Sequence, residues 1–220
     1  MEPEFWHQRW REQRIGFHLP HVNPLLERHW PALGVPTQAG VFVPLCGKTL
    51  DMVWLAERGH PVTGVELSSL ALAAFCREQG LEPKVVEAGA FRRYQAGRLR
   101  LLEGDFFDLT PGDLEGVTGV WDRAALVAFP EAMRPAYARH LAGLLAPGTR
   151  MLLVTMDYSP GAMQGPPFRV PDDEVERLFG DAFDLALVER ADRLAENPAL
   201  AARGLDRLVE TVWRLERRAR

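Results

Sequence analysis

The sequence predicts an α/β fold, a doubly wound, seven-stranded, mostly parallel sheet with an antiparallel last strand, preceded by a helical segment. Three observations lead to it. From Val41 onward, short apolar runs alternate with amphipathic stretches, the pattern of βα units. The run "TRMLLVTMDY", with the uninterrupted apolar stretch Met151 to Val154 at its centre, reads as a strand covered on both faces. The stretch "VFVPLCGKTLDM" carries an apolar strand through a glycine turn into a helical pattern, the arrangement that places ligands at the carboxyl ends of strands.

At the amino end, "EPEFWHQRWREQR" sets Phe5, Trp6, Arg9, Trp10 and Gln13 at helical spacing, and Gly16 ends the pattern. A second helix is expected around "NPLLERHW", with Asn23 as N-cap and Pro24 in the first helical position. Pro31 and Pro36 mark a connector. Residues 1–36 thus read as a helical segment and residues 37–220 as the sheet-bearing core of a single domain. The core is expected to open with a strand over 41–45, a helix over about 49–59, a strand over 61–66 and a helix over about 69–80. "RLRLLEGDFFDL" predicts a strand ending at Glu103 or Gly104, and "TGVWDRAAL" a fourth strand turning at Asp122. "PEAMRPAYARHLAGLLAPG" predicts a helix closed by Pro147 and Gly148, with the strand "TRMLLVTMDY" after it. "PDDEVERLFG" has Asp172 and Asp173 in its first turn and Gly180 at its end, the charge placement a helix dipole favours. Two last strands, about 183–190 and 206–216, are expected to pair antiparallel.

The 220 residues, 47% of them hydrophobic, suffice for one substantial core. A formal net charge of −4 and a pI near 5.9 provide no basic field for a nucleic-acid backbone, so nucleic acid is not expected as a partner. Only Cys46 and Cys76 occur, the amino end lacks the order of a signal peptide, and no apolar run approaches the roughly 18 residues that span a bilayer. A soluble, reduced, cytoplasmic protein without a membrane partner is expected.

The glycine turn excludes the familiar phosphate binders. A Walker A loop needs glycine five positions before Gly47, where Phe42 stands. The dinucleotide fingerprint needs three glycines and this turn has one. Glu66, followed by Leu67, closes the second strand 19 residues after Gly47, where a carboxylate can accept from both hydroxyls of a ribose. The alternative is a carboxylate that merely flanks a helix. Asp105 and Phe106 end the third strand, where an adenine amine and ring face would lie, although Phe106 and Phe107 serve equally as core residues.

One glycine at the first turn, an acid after the second strand and an acid-aromatic pair after the third describe a ligand with adenosine and no pyrophosphate. S-adenosylmethionine fits that description. Gly47 then lets the backbone approach the methionyl part, and Leu45 and Cys46 offer backbone groups to the same ligand. Cys46 as a nucleophile lacks a neighbouring histidine to activate it. A sulfonium is attracted to aromatic faces, so Trp6, Trp10 and Phe17 suit a lid, though a helix docked through its aromatics has the same spacing. His18 and His21 are separated by Pro20 and lack further ligands nearby, so no metal is expected. Arg123 follows the fourth strand, where a guanidinium would position an anionic acceptor or order a loop through Asp122; "WDRA" is not the Pro-Pro-aromatic turn that grips an exocyclic amine.

These residues carry a resemblance. "FWHQRW", "GFHLPHVNPLL", "VPLCGKTLDMVWLAERGHPVTGVELS", "GDFFDL", "WDRAALVA" and "RGLDRLVETVWRL" together resemble the bacterial branch of the thiopurine S-methyltransferase family over nearly the whole chain. The resemblance implies a class I, Rossmann-like methyltransferase fold with an N-terminal lid. It also implies methyl transfer from S-adenosylmethionine to the thiol or thione sulfur of a small aromatic or heterocyclic compound, by a monomeric enzyme. By family position Trp10, Leu45, Gly47, Glu66 and Arg123 hold the cofactor, Asp105 and Phe106 flank the adenine, and Trp6 and Phe17 close the lid. Animal members carry a second arginine before the last strand; the corresponding region "ENPALAARGL" offers Arg203. Two other functions share the motifs: methylation of selenium or tellurium species, with Arg123 as the anion clamp, and cofactor binding without catalysis.

Overall fold

The chain, seen in a computed structural model that describes residues 3–219, divides into two compact units at Trp121/Asp122. Glu2, which opens the aromatic helical stretch in the sequence, lies outside the described residues.

The first unit begins with two helices, α1 (Pro3–Arg11) and α2 (Pro24–Leu33). The α2 boundaries follow from local chemistry. The Asn23 side chain accepts from the Leu25 N–H at 2.9 Å, Pro24 occupies the first turn, and Gly34 ends the helix at φ 70°, a conformation that glycine adopts without a Cβ penalty. The strands that follow are β1 (Gly40–Val43), β2 (Val62–Glu66), β3 (Lys84–Ala88), β4 (Phe91–Ala96), β5 (Leu99–Glu103) and β6 (Val117–Arg123), the last crossing the unit boundary. Helix α3 (Asp51–Glu57) follows β1, and α4 (Ser69–Glu78) follows β2. Within this unit the strands lie in the order β3-β4-β5-β2-β1-β6. β5, β2, β1 and β6 pair in parallel, whereas β3 and β4 add an antiparallel extension beyond β5.

The parallel strands are buried: every residue of β2 is buried, and Val41, Phe42, Val65 and Leu101 lie at or below 2% exposure. The α/β fold is therefore as expected, with nine strands among the described residues instead of seven. The additional pair is the β3–β4 hairpin, whose two-residue turn has Gly89 at φ 64°.

Asp51 binds three parts of this unit together. It is 2% exposed; Oδ1 accepts from the Asn23 backbone N–H at 2.8 Å and Oδ2 from the Trp121 indole N–H at 2.7 Å. The segment carrying α1 and α2, the start of α3 and the end of β6 thus share one buried carboxylate. Replacing Trp121 by Phe keeps an aromatic ring but leaves that carboxylate short of a donor. A loss of about 2 kcal/mol is expected, the size of a hydrogen bond to a charged acceptor. Urea denaturation would show it as a lower midpoint at unchanged slope.

The second unit contains α5 (Arg134–Leu144), β7 (Arg150–Asp157), α6 (Asp172–Phe179), β8 (Phe183–Asp192), α7 (Pro198–Ala201) and β9 (Val209–Arg217). β9 lies between β7 and β8 and is antiparallel to both, as the sequence predicted for the last two strands. Arg134 at the start of α5 and Glu174 in the first turn of α6 form a buried ion pair at 2.6 Å, with side chains 3% and 6% exposed. The Arg134 Nε–H also donates to the Phe129 carbonyl at 2.9 Å. No helix among the described residues is long and apolar enough to cross a membrane.

Candidate functional site

β1 ends at Val43, and the chain then turns through Pro44-Leu45-Cys46-Gly47 before α3. Two turn residues have positive φ: Leu45 at 46° and Gly47 at 53°. For leucine that conformation costs about 1 to 2 kcal/mol, and it persists only where the surroundings enforce it. Here the Cys46 N–H donates to the Val65 carbonyl at 2.9 Å, while the Cys46 side chain packs down toward Gly64 of β2. A Cβ on Gly64 would meet the Cys46 sulfur at 2.7 Å and the Met52 sulfur at 2.9 Å. The Cys46 thiol is 5% exposed, and burial, reinforced by the Glu66 charge, pushes its pKa well above the usual range. A thiol held protonated is not a nucleophile. Cys46 offers backbone groups to the site.

Glu66, the last residue of β2, is 7% exposed and holds the turn together. Oε2 accepts from the Gly47 N–H at 2.9 Å and Oε1 from the Ser68 N–H at 2.8 Å, and the Leu67 amide adds to the same field. Ser68 in turn caps α4, accepting from the Ala71 N–H at 3.4 Å. The spacing of 19 residues therefore connects an acid to the amide of the first-turn glycine. A carboxylate has about four acceptor positions; amides take one on each oxygen, which leaves acceptor capacity for further donors. Burial raises the Glu66 pKa from 4.5 to about 7 despite those amides. The carboxylate is thus short of donors, the condition that two hydroxyls of a ribose would relieve.

Above this turn lie the amino-terminal aromatics. A Cβ built on Gly47 would stand 3.2 Å from Trp10 Cζ2 and 4.0 Å from Phe17 Cε2. Phe17 meets Trp10 edge-on at 5.6 Å and Trp6 at 5.9 Å. Trp10 is 4% exposed, and Trp6 and Phe17 are half-buried. The structure therefore brings Trp6, Trp10, Phe17, Gly47 and Glu66 together. The helix that carries the tryptophans also lies against α4.

At the end of β5, Asp105 caps a short 3₁₀ turn, its Oδ1 accepting from the Phe107 N–H at 2.9 Å. Phe106 is 4% exposed and packs edge-on against Phe107 at 5.3 Å, in keeping with the core reading of that ring. The Gly104 N–H donates to the Glu66 carbonyl at 3.0 Å, which fixes the β5 end beside the β2 end.

In the second unit, Arg123 is the last residue of β6 and Ala124 follows at φ 69°. That turn is fixed by Asp122, which is fully buried: Oδ1 accepts from the Leu126 N–H at 3.2 Å and Oδ2 from the Tyr137 hydroxyl at 2.6 Å. Burial pushes the Asp122 carboxyl up to about 6, opposed by the Tyr137 hydroxyl and the Leu126 and Ala125 amides. Arg203 lies in the loop before β9 and donates to the Pro166 carbonyl at 3.4 Å. Sequence reasoning missed Asp51, Ser68 and Tyr137. Ser68 was legible, since serine before an apolar helical run signals a cap; the others bond to residues far away in the chain.

Several known proteins resemble this chain in sequence or in fold. The family model described as thiopurine S-methyltransferase matches residues 1–218. A thiopurine S-methyltransferase of Pseudomonas fluorescens (strain Pf0-1) is 51% identical over 215 residues, covering 98% of this chain and 99% of the relative. One from Methylococcus capsulatus is 48% identical over 220 residues, covering 100% and 99%. Among solved structures, the Burkholderia thailandensis 1,6-didemethyltoxoflavin-N1-methyltransferase, with 1,6-didemethyltoxoflavin and S-adenosylhomocysteine bound, superposes with a TM-score of 0.62 at 17% identity, covering 99% of this chain and 87% of its own. At that identity the likeness concerns the fold.

Proposed function

The chain belongs to the thiopurine S-methyltransferase family, S-adenosylmethionine-dependent methyltransferases, and from that premise we propose that it methylates the thiol or thione sulfur of small aromatic or heterocyclic compounds. The observation that supports the cofactor site is the buried Glu66 carboxylate bonded to the Gly47 amide beneath Trp10 and Phe17. Glu66 would accept from the ribose hydroxyls, Leu45, Cys46 and Gly47 would offer backbone groups to the methionyl part, and Leu67, Asp105 and Phe106 would border the adenine. The amine contact at Asp105 then falls to the carboxylate oxygen that does not cap the turn. S-adenosylmethionine, when bound, supplies an electrophilic methyl group on a sulfonium.

The chain's own residues contribute position and exclusion of water. The faces of Trp6, Trp10 and Phe17 favour a cation over neutral water, and a site closed by them favours a reaction in which charge is neutralised. An aryl thiol that ionises near neutral pH reacts as its thiolate and needs no base. Arg123, on a turn fixed by Asp122 and Tyr137, is assigned to positioning. Selenium or tellurium oxyanions would require a strongly positive clamp, and Glu210 near Arg123 weakens that reading. A single catalytic domain acting as a cytoplasmic monomer is part of the same proposal, on family resemblance.

Incubation with S-adenosylmethionine and ring-substituted aryl thiols tests the reading. S-methyl products are expected by mass spectrometry. The acid limb of the rate profile should move down in pH as the substituents lower the thiol pKa. Methylation at nitrogen, or an acid limb that stays put across the series, would count against it.

A further inference from the structure

Lys48 follows the first-turn glycine directly. Its Nζ donates to both carboxylate oxygens of Glu78, at 2.8 and 2.9 Å, with only 12% of the lysine side chain exposed. Glu78 is the last residue of α4, the end at which a helix dipole disfavours a carboxylate. Arg77 stands 3.8 Å from it with its side chain 73% exposed, so Lys48 is the principal partner. The other end of α4 is joined to the same turn, because Glu66 accepts from both the Gly47 N–H and the N–H of the cap Ser68. A turn that holds Leu45 and Gly47 at positive φ is thus fastened to both ends of one helix. The amino-terminal segment follows the same line. Trp10 and Phe17 stand over Gly47, at the near end of the lysine stem. His18, the next residue, is close enough to the far end to act electrostatically on the Glu78 carboxylate. The His18 N–H donates to the Ile15 carbonyl at 2.8 Å, which ties Phe17 and His18 into one turn, and α1 before them lies against α4. Residues 17 and 18 therefore form a strap along the Lys48 side chain, from the glycine to the carboxylate.

Resting on the reading of the Gly47–Glu66 turn as the cofactor site, we propose that Lys48 and Glu78 are positioning residues that set how long the cofactor stays bound. Their bridge fixes the carboxyl side of the turn and supports the Phe17–His18 strap. Neither side chain needs to touch the ligand. A molecule held beneath Trp10 and Phe17 leaves when the strap lifts, which is a local opening of the chain. Without the bridge the turn keeps its bonds to Glu66 and to the Val65 carbonyl, while the strap loses the support under it. Opening becomes more frequent, and the encounter with free cofactor is unaffected.

Stopped-flow tryptophan fluorescence with S-adenosylhomocysteine reads both rates. Lys48→Met, which keeps the stem and removes the charge, and Glu78→Gln should each raise koff by roughly tenfold, with kon within about twofold of the parent. The double variant should be no worse than either single one, the non-additivity of a shared contact. Lys48→Arg, which can pair with both carboxylate oxygens, should stay within about threefold of the parent. Saturating S-adenosylhomocysteine should slow tryptic cleavage after Arg14, followed by mass spectrometry, by roughly tenfold in the parent and by less than about twofold in the two single variants. Urea midpoints should stay near the parent's, since partly exposed ion pairs add little to folding. Glu78→Gln alters an exposed side chain and carries the test should Lys48→Met fold poorly. An unchanged koff in Glu78→Gln, additive losses in the double variant, or a loss of affinity in step with a lowered urea midpoint overturns the proposal and leaves the cofactor site standing. A parent that does not bind S-adenosylhomocysteine overturns the cofactor site itself.

Discussion

Glu66→Ala is expected to weaken S-adenosylhomocysteine binding by about 3 kcal/mol, or roughly 150-fold. Two effects combine. The ribose hydroxyls lose a charged acceptor, and the Gly47 and Ser68 amides lose the group that aims them. The cost to folding is a different matter, and its sign follows from the pKa. Glu66 is raised from 4.5 to about 7 in the fold by burial, so between those values the folded chain binds its proton more tightly than the unfolded chain does. Its contribution to stability is therefore present at low pH and declines as pH rises through that window, by about 3 kcal/mol as an order of magnitude. The alanine variant lacks this decline. It should be nearly as stable as the parent near neutral pH while binding ligand poorly, a separation that urea denaturation and calorimetry resolve. A variant that binds within threefold of the parent would show that the carboxylate has no part in ligand recognition.

Arg134→Met is expected to destabilise the protein by about 3 to 5 kcal/mol, the usual cost of leaving a buried charge without its partner. Glu174 is 4% exposed and would keep its charge in a space vacated by the guanidinium. The Phe129 carbonyl would lose its donor as well. The double replacement Arg134→Met with Glu174→Leu should recover most of the loss, since exchanging a buried pair for apolar side chains of similar volume is often neutral. Denaturation midpoints of the three variants measure both terms. A single variant less than about 1 kcal/mol below the parent would mean that water reaches Glu174 and that the α5–α6 contact is looser than the structure shows.

Elements whose causes are local were readable from the residues alone. The Asn23-Pro24 start of α2 is one, because cap and proline act within a single turn. The apolar runs of β1, β2 and β7 are others, since strands buried on both faces must be apolar throughout. The β3–β4 hairpin escaped notice for the opposite reason. β3 has no buried residue and β4 has only Phe91, so little apolar periodicity marks them. Gly89 alone announced the turn, and an isolated glycine signals too many structures to decide among them.

The same distinction applies to the site. Gly47 and Glu66 stood out by type and spacing, and the structure brings them into contact at 2.9 Å. The sequence left open whether Glu66 serves a ligand or its own chain. In the structure it bonds two of its own amides, and its raised pKa shows that they do not fully compensate its burial. Asp51 was invisible as a tether because its donor Trp121 lies 70 residues away. Tyr137 was equally hidden, since only the path of α5 brings its hydroxyl to Asp122.

The most direct test of the central claim is isothermal titration of S-adenosylhomocysteine into the parent protein at pH 6 and pH 8. If ribose hydroxyls donate to Glu66, they favour its charged form, so binding must expel the proton that the carboxyl holds below about pH 7. The account predicts binding at a single site, about tenfold tighter at pH 8 than at pH 6, with uptake of the released proton by the buffer at the lower pH. Binding of equal strength at both values would place the ligand away from Glu66. Absence of binding at either pH would contradict the cofactor site itself.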